Sequence, residues 1–311
     1  MNKAQAIKTA NHTLFVGKAG KFFWVLLKKI YYKAGLRSEW FFYFLSGFFF
    51  ALLGISVAKI IFAQNIGMVA VFLASLASIS IVDSKISISE IILGRTKRLP
   101  NRVIRVDEII TVEHTVTLRG IIQDHRNLFA TYLAVFLGTM LCFSAVTLAL
   151  PQSQVEIIFG EQFRVISGNA FNPIGVFSEI IVNNFFVLVT SFFLALLFEK
   201  GTTFIIVWNA SVWGAAFAAA AKTPFISLAQ DPVASFALIM LVVFPHLILE
   251  AGAYFSSTIA GGLLNKAIIA EEMNSIRFRV IATHSILLFV LGLIFLGVGA
   301  IVETLVIGAI V

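Results

Sequence analysis

Charge is what this chain of 311 residues has least of. Only 13% of its residues are Asp, Glu, Lys or Arg, about half the roughly 25% of a soluble domain. That leaves too little polar surface to cover a globule, and a soluble fold is excluded. Cysteine is nearly missing as well. Cys142 stands alone in an apolar run, which rules out an intramolecular disulfide framework and a cysteine metal site. It reads as a small packing residue. HExxH, the P-loop and GxSxG are all absent, so the common signatures of zinc proteases, nucleotide-binding folds and serine hydrolases are missing.

What the chain has instead is hydrocarbon. Hydrophobic residues make up 59%, Phe alone contributes 32, and the mean hydropathy is +0.96. Crossing roughly 30 Å at about 1.5 Å per residue takes about 18 apolar residues or more. Seven runs approach or exceed that length: Trp40–Ala63, Ile66–Val82, Leu128–Leu150, Ile181–Phe198, Thr202–Ala221, Val233–Leu264 and Val280–Val311. The expected fold is therefore all-α, a polytopic transmembrane helical bundle of about seven spans. The last two runs exceed a straight crossing and are expected to tilt, kink or emerge.

Lysine and arginine set the expected orientation. Eight lie within the first 39 residues, among them Lys28, Lys29, Lys33 and Arg37, and eight between Asp83 and Asn127. Lys200, Lys266, Arg277 and Arg279 fall on the same side if the first span starts inside; Arg164 and Lys222 fall opposite. This asymmetry predicts a cytoplasmic N-terminus, and a multi-pass protein of the cell membrane. It also explains the net charge of +7 by topology and attraction to anionic lipid, with no need for nucleic acid.

The organisation that follows has four parts. Residues 1–39 form a basic N-terminal segment, with an interfacial helix expected over Leu14–Lys33 and anionic lipid as its partner. Residues 40–82 form a transmembrane hairpin and residues 83–127 a cytoplasmic linker too short for an enzyme domain. Residues 128–311 form a five-span core. From Val116 the linker reads as helical and continuous with the third span. Pro151–Glu179 reads as an external loop, with turn signals at Gly168-Asn169 and Asn172-Pro173.

Polar residues inside the spans carry the functional question. A charge at the bilayer centre costs about 3 kcal/mol, so such residues face the bundle interior and find partners. In the stretch FPHLILEAGAY, His246 and Glu250 are one helical turn apart on one face. Pro245 lacks an N–H and frees the carbonyl of Leu241, so a kink is expected there. Asn209 is expected at the depth of Glu250, with Asn183 and Asn184 nearer the outer face. Gly214 and its small neighbours Ala210, Ser211, Ala215 and Ala218 permit a close helix approach. The expected cluster is thus His246, Glu250 and Asn209, with Asn184 above it. It reads first as a hydrogen-bond clamp; a proton or ligand pathway and catalysis are the alternatives. A catalytic zinc site usually needs three protein ligands, and one His–Glu pair does not supply them, so no metal and no cofactor is expected. Lys59, His284 and Glu303 lie near span ends and read as ordinary edge residues.

The order of these residues resembles the stage II sporulation protein M family. Asn183 and Asn184 match an Asn pair opening one span, and Gly201 and Asn209 match the next. Pro245, His246, Glu250 and Ala253 match a Pro-His-Gly-x-x-Glu-x-x-Ala stretch, and Gly261 and Gly262 match its tail. Ala210 and Leu247 stand where the family has glycines, which loosens backbone approach at those points. The resemblance covers about the last 185 residues; the two N-terminal spans resemble additions seen in archaeal members. It implies a membrane scaffold, since such proteins in endospore formers organise peptidoglycan-degrading enzymes during engulfment.

The expected function is therefore a non-enzymatic scaffold recruiting partners for envelope or membrane remodelling. A permease-like subunit working with a separate ATPase is the alternative, and an intramembrane enzyme ranks third. Expected partners are the bilayer and other envelope or membrane proteins, with self-association left open and no nucleic acid.

Overall fold

The computed structural model describes residues 38–82, 118–164, 173–198, 201–223 and 231–310, with positions 29, 31 and 229 besides. The interfacial helix read over Leu14–Lys33 falls outside them except at 29 and 31. So do the linker up to residue 117 and the Gly168-Asn169 turn. Among the described residues lie eight helices and no strand: α1 (Glu39–Ile61), α2 (Ile66–Val82), α3 (Leu118–Ala149), α4 (Gln152–Arg164), α5 (Pro173–Leu197), α6 (Gly201–Ala221), α7 (Pro232–Ala270) and α8 (Ile276–Ile310).

Local chemistry sets the helix ends. Ser38 caps α1, its side chain accepting from the Phe41 N–H. Asp231 caps α7, accepting from the Ala234 N–H at 2.8 Å, and Pro232 opens the first turn. Both satisfy amide groups that a helix start leaves without partners. Asn65, with φ of 55°, turns the chain from α1 into α2, a left-handed conformation that Asn tolerates better than most residues. At the end of α3, the Lys222 ammonium donates to the carbonyls of Thr147 (3.1 Å) and Leu150. A cation at a helix C-terminus satisfies the last carbonyls and opposes the helix dipole.

The result is a helical membrane bundle. Five helices are long and apolar enough to cross a bilayer: Glu39–Ile61, Gly120–Ala149, Thr203–Ala221, Pro232–Ala270 and Phe278–Leu305. Two shorter apolar helices, Ile66–Ile79 and Ile181–Leu197, coincide with the remaining two apolar runs. α3 begins at Leu118, so the third run continues a helix that starts before it. The segment read as an external loop opens instead with α4, which bends at Phe159. α4 buries Val155, Ile158 and Phe159 in a cluster with residues of α2 and α6, which is why it is ordered as a helix. α7 runs unbroken for 39 residues with Pro245 inside it, on the exposed side together with Leu241 and Phe244. At about 1.5 Å per residue α7 is about 58 Å long, nearly twice the hydrocarbon thickness.

Lipid is as apolar as leucine, so helices in a bilayer associate through close packing and hydrogen bonds. Both are visible here. An aromatic nucleus joins α3, α6 and α7: Phe136 meets Trp213 edge-on at 5.2 Å and Phe255 at 5.7 Å, and Tyr132 meets Phe255 at 5.8 Å. Such edge-to-face pairs contribute about 0.5–1.5 kcal/mol each beyond their buried area. Glycines bring backbones together elsewhere. A Cβ at Gly47 would strike the carbonyl oxygen of Val135, one at Gly138 that of Phe44, and one at Gly214 that of Met140. Beside the last contact, Ser144 Oγ donates to the Gly214 carbonyl at 3.0 Å.

Candidate functional site: a polar ladder between two parallel helices

α5 and α7 run parallel, and a ladder of contacts shows their register. Ser257 Oγ donates to the carbonyl of Leu188 at 2.6 Å. One turn on, Gly261 lies so close that a Cβ would strike the Phe192 carbonyl oxygen. One turn further, Asn265 Nδ2 donates to the carbonyl of Leu196 at 2.6 Å. Every fourth residue of α7 thus meets every fourth carbonyl of α5, because residues four apart share a helix face. The two hydrogen-bonded rungs have the same sequence offset of 69.

Glu250 anchors one end of this ladder. Asn184 Nδ2 donates to Glu250 Oε1 at 2.7 Å, and Tyr254 O–H donates to Asn184 Oδ1 at 2.9 Å. Asn184 is thus held by both Glu250 and Tyr254, one turn apart on α7. All three are buried, at 8%, 6% and 4% exposed, so each hydrogen bond replaces solvation that hydrocarbon cannot supply. α8 closes the third side. Its Gly299 backs onto Glu250, where a Cβ would lie 3.5 Å from Glu250 Cγ. Glu303 follows one turn later on α8, and its Oε2 is buried with no hydrogen-bond partner among the described residues. Ser285 Oγ adds a bond from α8 to the Ala260 carbonyl of α7 at 2.8 Å.

The residues singled out from sequence are distributed as follows. Glu250 and Asn184 meet directly. Asn183 is exposed and, among the described residues, reaches only Asn184, at 3.4 Å. Asn209 is buried but donates to the carbonyl of Ile205 in its own helix. His246 is 7% exposed, and its Nδ1 has no hydrogen-bond partner among the described residues. Gly214 and Gly261 are the close contacts already described, Gly262 is buried in α7, and Gly201 starts α6. Tyr254 joins the cluster without having been singled out for it. Tyr254 carried a readable signal, one turn after Glu250 on the same face. Among the described residues no group of three or more His, Cys, Asp or Glu is arranged to hold a metal ion.

The arrangement can hold three helices in fixed register. The family profile described as Stage II sporulation protein M matches residues 128–306, from α3 through the Glu303 end of α8, and so contains the whole ladder. No curated protein and no solved structure gives a significant match. The profile spans more than half of the 311 residues, and the chain belongs to the Stage II sporulation protein M family.

Proposed function

We propose that the protein is a multi-pass scaffold of the cell membrane that recruits partners for envelope or membrane remodelling and performs no catalytic step itself. The ladder between α5 and α7 carries this reading. Intramembrane polar groups usually mark a pathway or an active site; here Asn184, Glu250, Tyr254, Ser257 and Asn265 bond one another or a neighbouring backbone. Groups so engaged make a rigid frame, which is what a platform for other proteins needs. With the N-terminus cytoplasmic, as the charge distribution favours, α4 lies on the outer side. Its exposed Glu156 and Ile157 then offer a surface to an external partner, while the basic N-terminal segment meets anionic lipid inside.

Cross-linking in native membranes, followed by mass spectrometry of what co-purifies, tests the proposal. The expected result is an envelope enzyme at near-stoichiometric yield, cross-linked through α4 or the residues after it. A cytoplasmic ATPase in its place would overturn the scaffold and make the protein a transporter subunit.

A further inference from the structure

The end of the bundle that carries α4 holds a second group of polar parts, on the α1–α2 hairpin, outside the stretch that the family profile matches. We propose that the start of α2, with Lys59 and Gln162, binds a phosphate group at the membrane surface, either a lipid headgroup phosphate or free phosphate. This goes beyond the scaffold reading and does not depend on it.

Three kinds of donor converge there. The first is the helix start itself. The Val69 N–H makes the opening bond of α2, to the Asn65 carbonyl, so the amides of Ile66, Gly67 and Met68 precede the ladder. Among the described residues no group accepts from them. Three free amides at the positive end of a helix dipole suit a phosphate. Gln162 is the second. It is 0% exposed, and neither its Oε1 nor its Nε2 has a hydrogen-bond partner among the described residues. Its carboxamide lies against the first turn of α2, where a Cβ at Gly67 would sit 2.5 Å from Oε1 and 2.8 Å from Nε2. Only glycine at 67 admits it. Buried polar side chains are bonded as a rule, and a phosphate on the α2 amides supplies the acceptor that Nε2 lacks once the carboxamide rotates toward it. Lys59 is the third. Gly54 of α1 meets Ala70 and Ala74 of α2, so five residues further along this antiparallel hairpin Lys59 is level with the first turn of α2. It is exposed, and its one hydrogen bond among the described residues is long, 3.5 Å to Gln154 Oε1. α4 ties these parts together. Gln154, Ile158 and Gln162 are four residues apart and share a face; the first meets Lys59, and the other two meet Gly67. Glu161 flanks that face, half-buried and already engaged elsewhere. The exposed Ile60, Ile61 and Met68 face hydrocarbon, while the exposed Gln64 and Asn65 between them face water. The site thus lies at the depth of the headgroups.

Thermal unfolding of the full chain in an uncharged detergent tests this. The probes are dihexanoylphosphatidylglycerol, the phosphate-free dihexanoylglycerol, and inorganic phosphate. The phosphatidylglycerol is expected to raise the melting temperature and dihexanoylglycerol to leave it unchanged. A shift with inorganic phosphate as well supports a site for which free phosphate suffices; a shift with the phosphatidylglycerol alone supports a lipid headgroup. Lys59→Gln and Gln162→Leu are each expected to weaken the apparent affinity about tenfold, close to the worth of one hydrogen bond to a charged group. Arg279→Gln, on the opposite side of the membrane, is expected to leave it unchanged. Without any probe, Gln162→Leu is expected to melt above wild type, because the stranded carboxamide is gone. Wild-type affinity in both Lys59→Gln and Gln162→Leu would overturn the proposal. So would equal shifts with the phosphatidylglycerol and dihexanoylglycerol, or no shift with any probe. If one variant fails to fold, the other variant and the phosphate-free probe still decide.

Discussion

The α1–α3 and α5–α7 interfaces achieve close contact by different means. Between α1 and α3 two glycines act reciprocally, Gly47 against the carbonyl of Val135 and Gly138 against that of Phe44. Positions rise on one helix as they fall on the other, so the pair is antiparallel. One long hydrogen bond, Thr139 to the Gly47 carbonyl at 3.4 Å, supplements it. Between α5 and α7 the helices are parallel, and side-chain donors at 2.6 to 2.9 Å alternate with one glycine. A crossing of two glycines fixes a single point. A ladder repeating every four residues fixes a direction, but it would nearly repeat after a slide of one turn. The Asn184 bracket between Glu250 and Tyr254 occurs once and removes that ambiguity. The buried polar end of the ladder therefore sets register, the best-attested role of buried polar groups in helix packing.

The comparison breaks first at its glycines. Gly261→Leu is expected to abolish folded protein, because even its Cβ meets a backbone oxygen that cannot move alone. Gly261→Ala and Gly138→Ala are each expected to cost about 1–3 kcal/mol, the usual range for overpacking. Thermal unfolding of the purified protein in detergent reads both. A wild-type melting temperature for Gly261→Ala would mean that α5 and α7 are not in backbone contact.

The next effect separates anchor from rung. A double-mutant cycle between Asn184→Ala and Glu250→Ala is expected to give a coupling of about 0.6–1.7 kcal/mol, the span of interhelical hydrogen bonds measured in a membrane protein. Ser257→Ala removes one rung and is expected to cost about 0.6 kcal/mol, near the mean of that range. His246→Ala is expected to fall below Glu250→Ala, since its Nδ1 has no partner among the described residues to strand. If Ser257→Ala exceeds Glu250→Ala, the rungs set the register and the anchor does not.

Much of the fold was legible because hydrophobic runs and span lengths obey the same geometry. All seven runs coincide with apolar helices, five of them long enough to cross. α4 was less legible: its mixed polar and apolar residues read as a loop, and only α2 and α6 packed against it make it a helix. At the site, the spacing of His246 and Glu250 put them on one face, but the partner on the next helix was harder to assign. The apolar run begins at Ile181 and so places Asn184 near the start of its span. The helix begins at Pro173, three turns before Asn184, which places that residue well inside α5. Asn209, expected beside Glu250, instead bonds back to its own helix. Glu303 read as a span-end residue because 35-residue α8 outruns any expected crossing, and its register against α7 is set by Gly292 and Gly299, which touch Ala253 and Glu250. Sequence gives the depth of a residue along its own helix; which neighbour it meets depends on helix starts and on glycine contacts between helices.

The smallest expected effect isolates what glycine contributes. Gly297 and Gly261 are both helical, yet a Cβ at 297 meets nothing within 4 Å while one at 261 meets backbone. Gly297 also lies close to the exposed Ile294, Val298 and Ile301. If glycine mattered here for conformational freedom, replacing either would have similar consequences. If close approach is what matters, Gly297→Ala is expected to stay within about 0.5 kcal/mol of wild type, as surface substitutions do, and its melting temperature to match. A clear loss of stability in Gly297→Ala would mean that this face of α8 is covered in the membrane, most simply by a second copy of the chain. Cross-linking through a cysteine placed at Ile294 in a Cys142→Ala background would then show whether that cover is the protein itself.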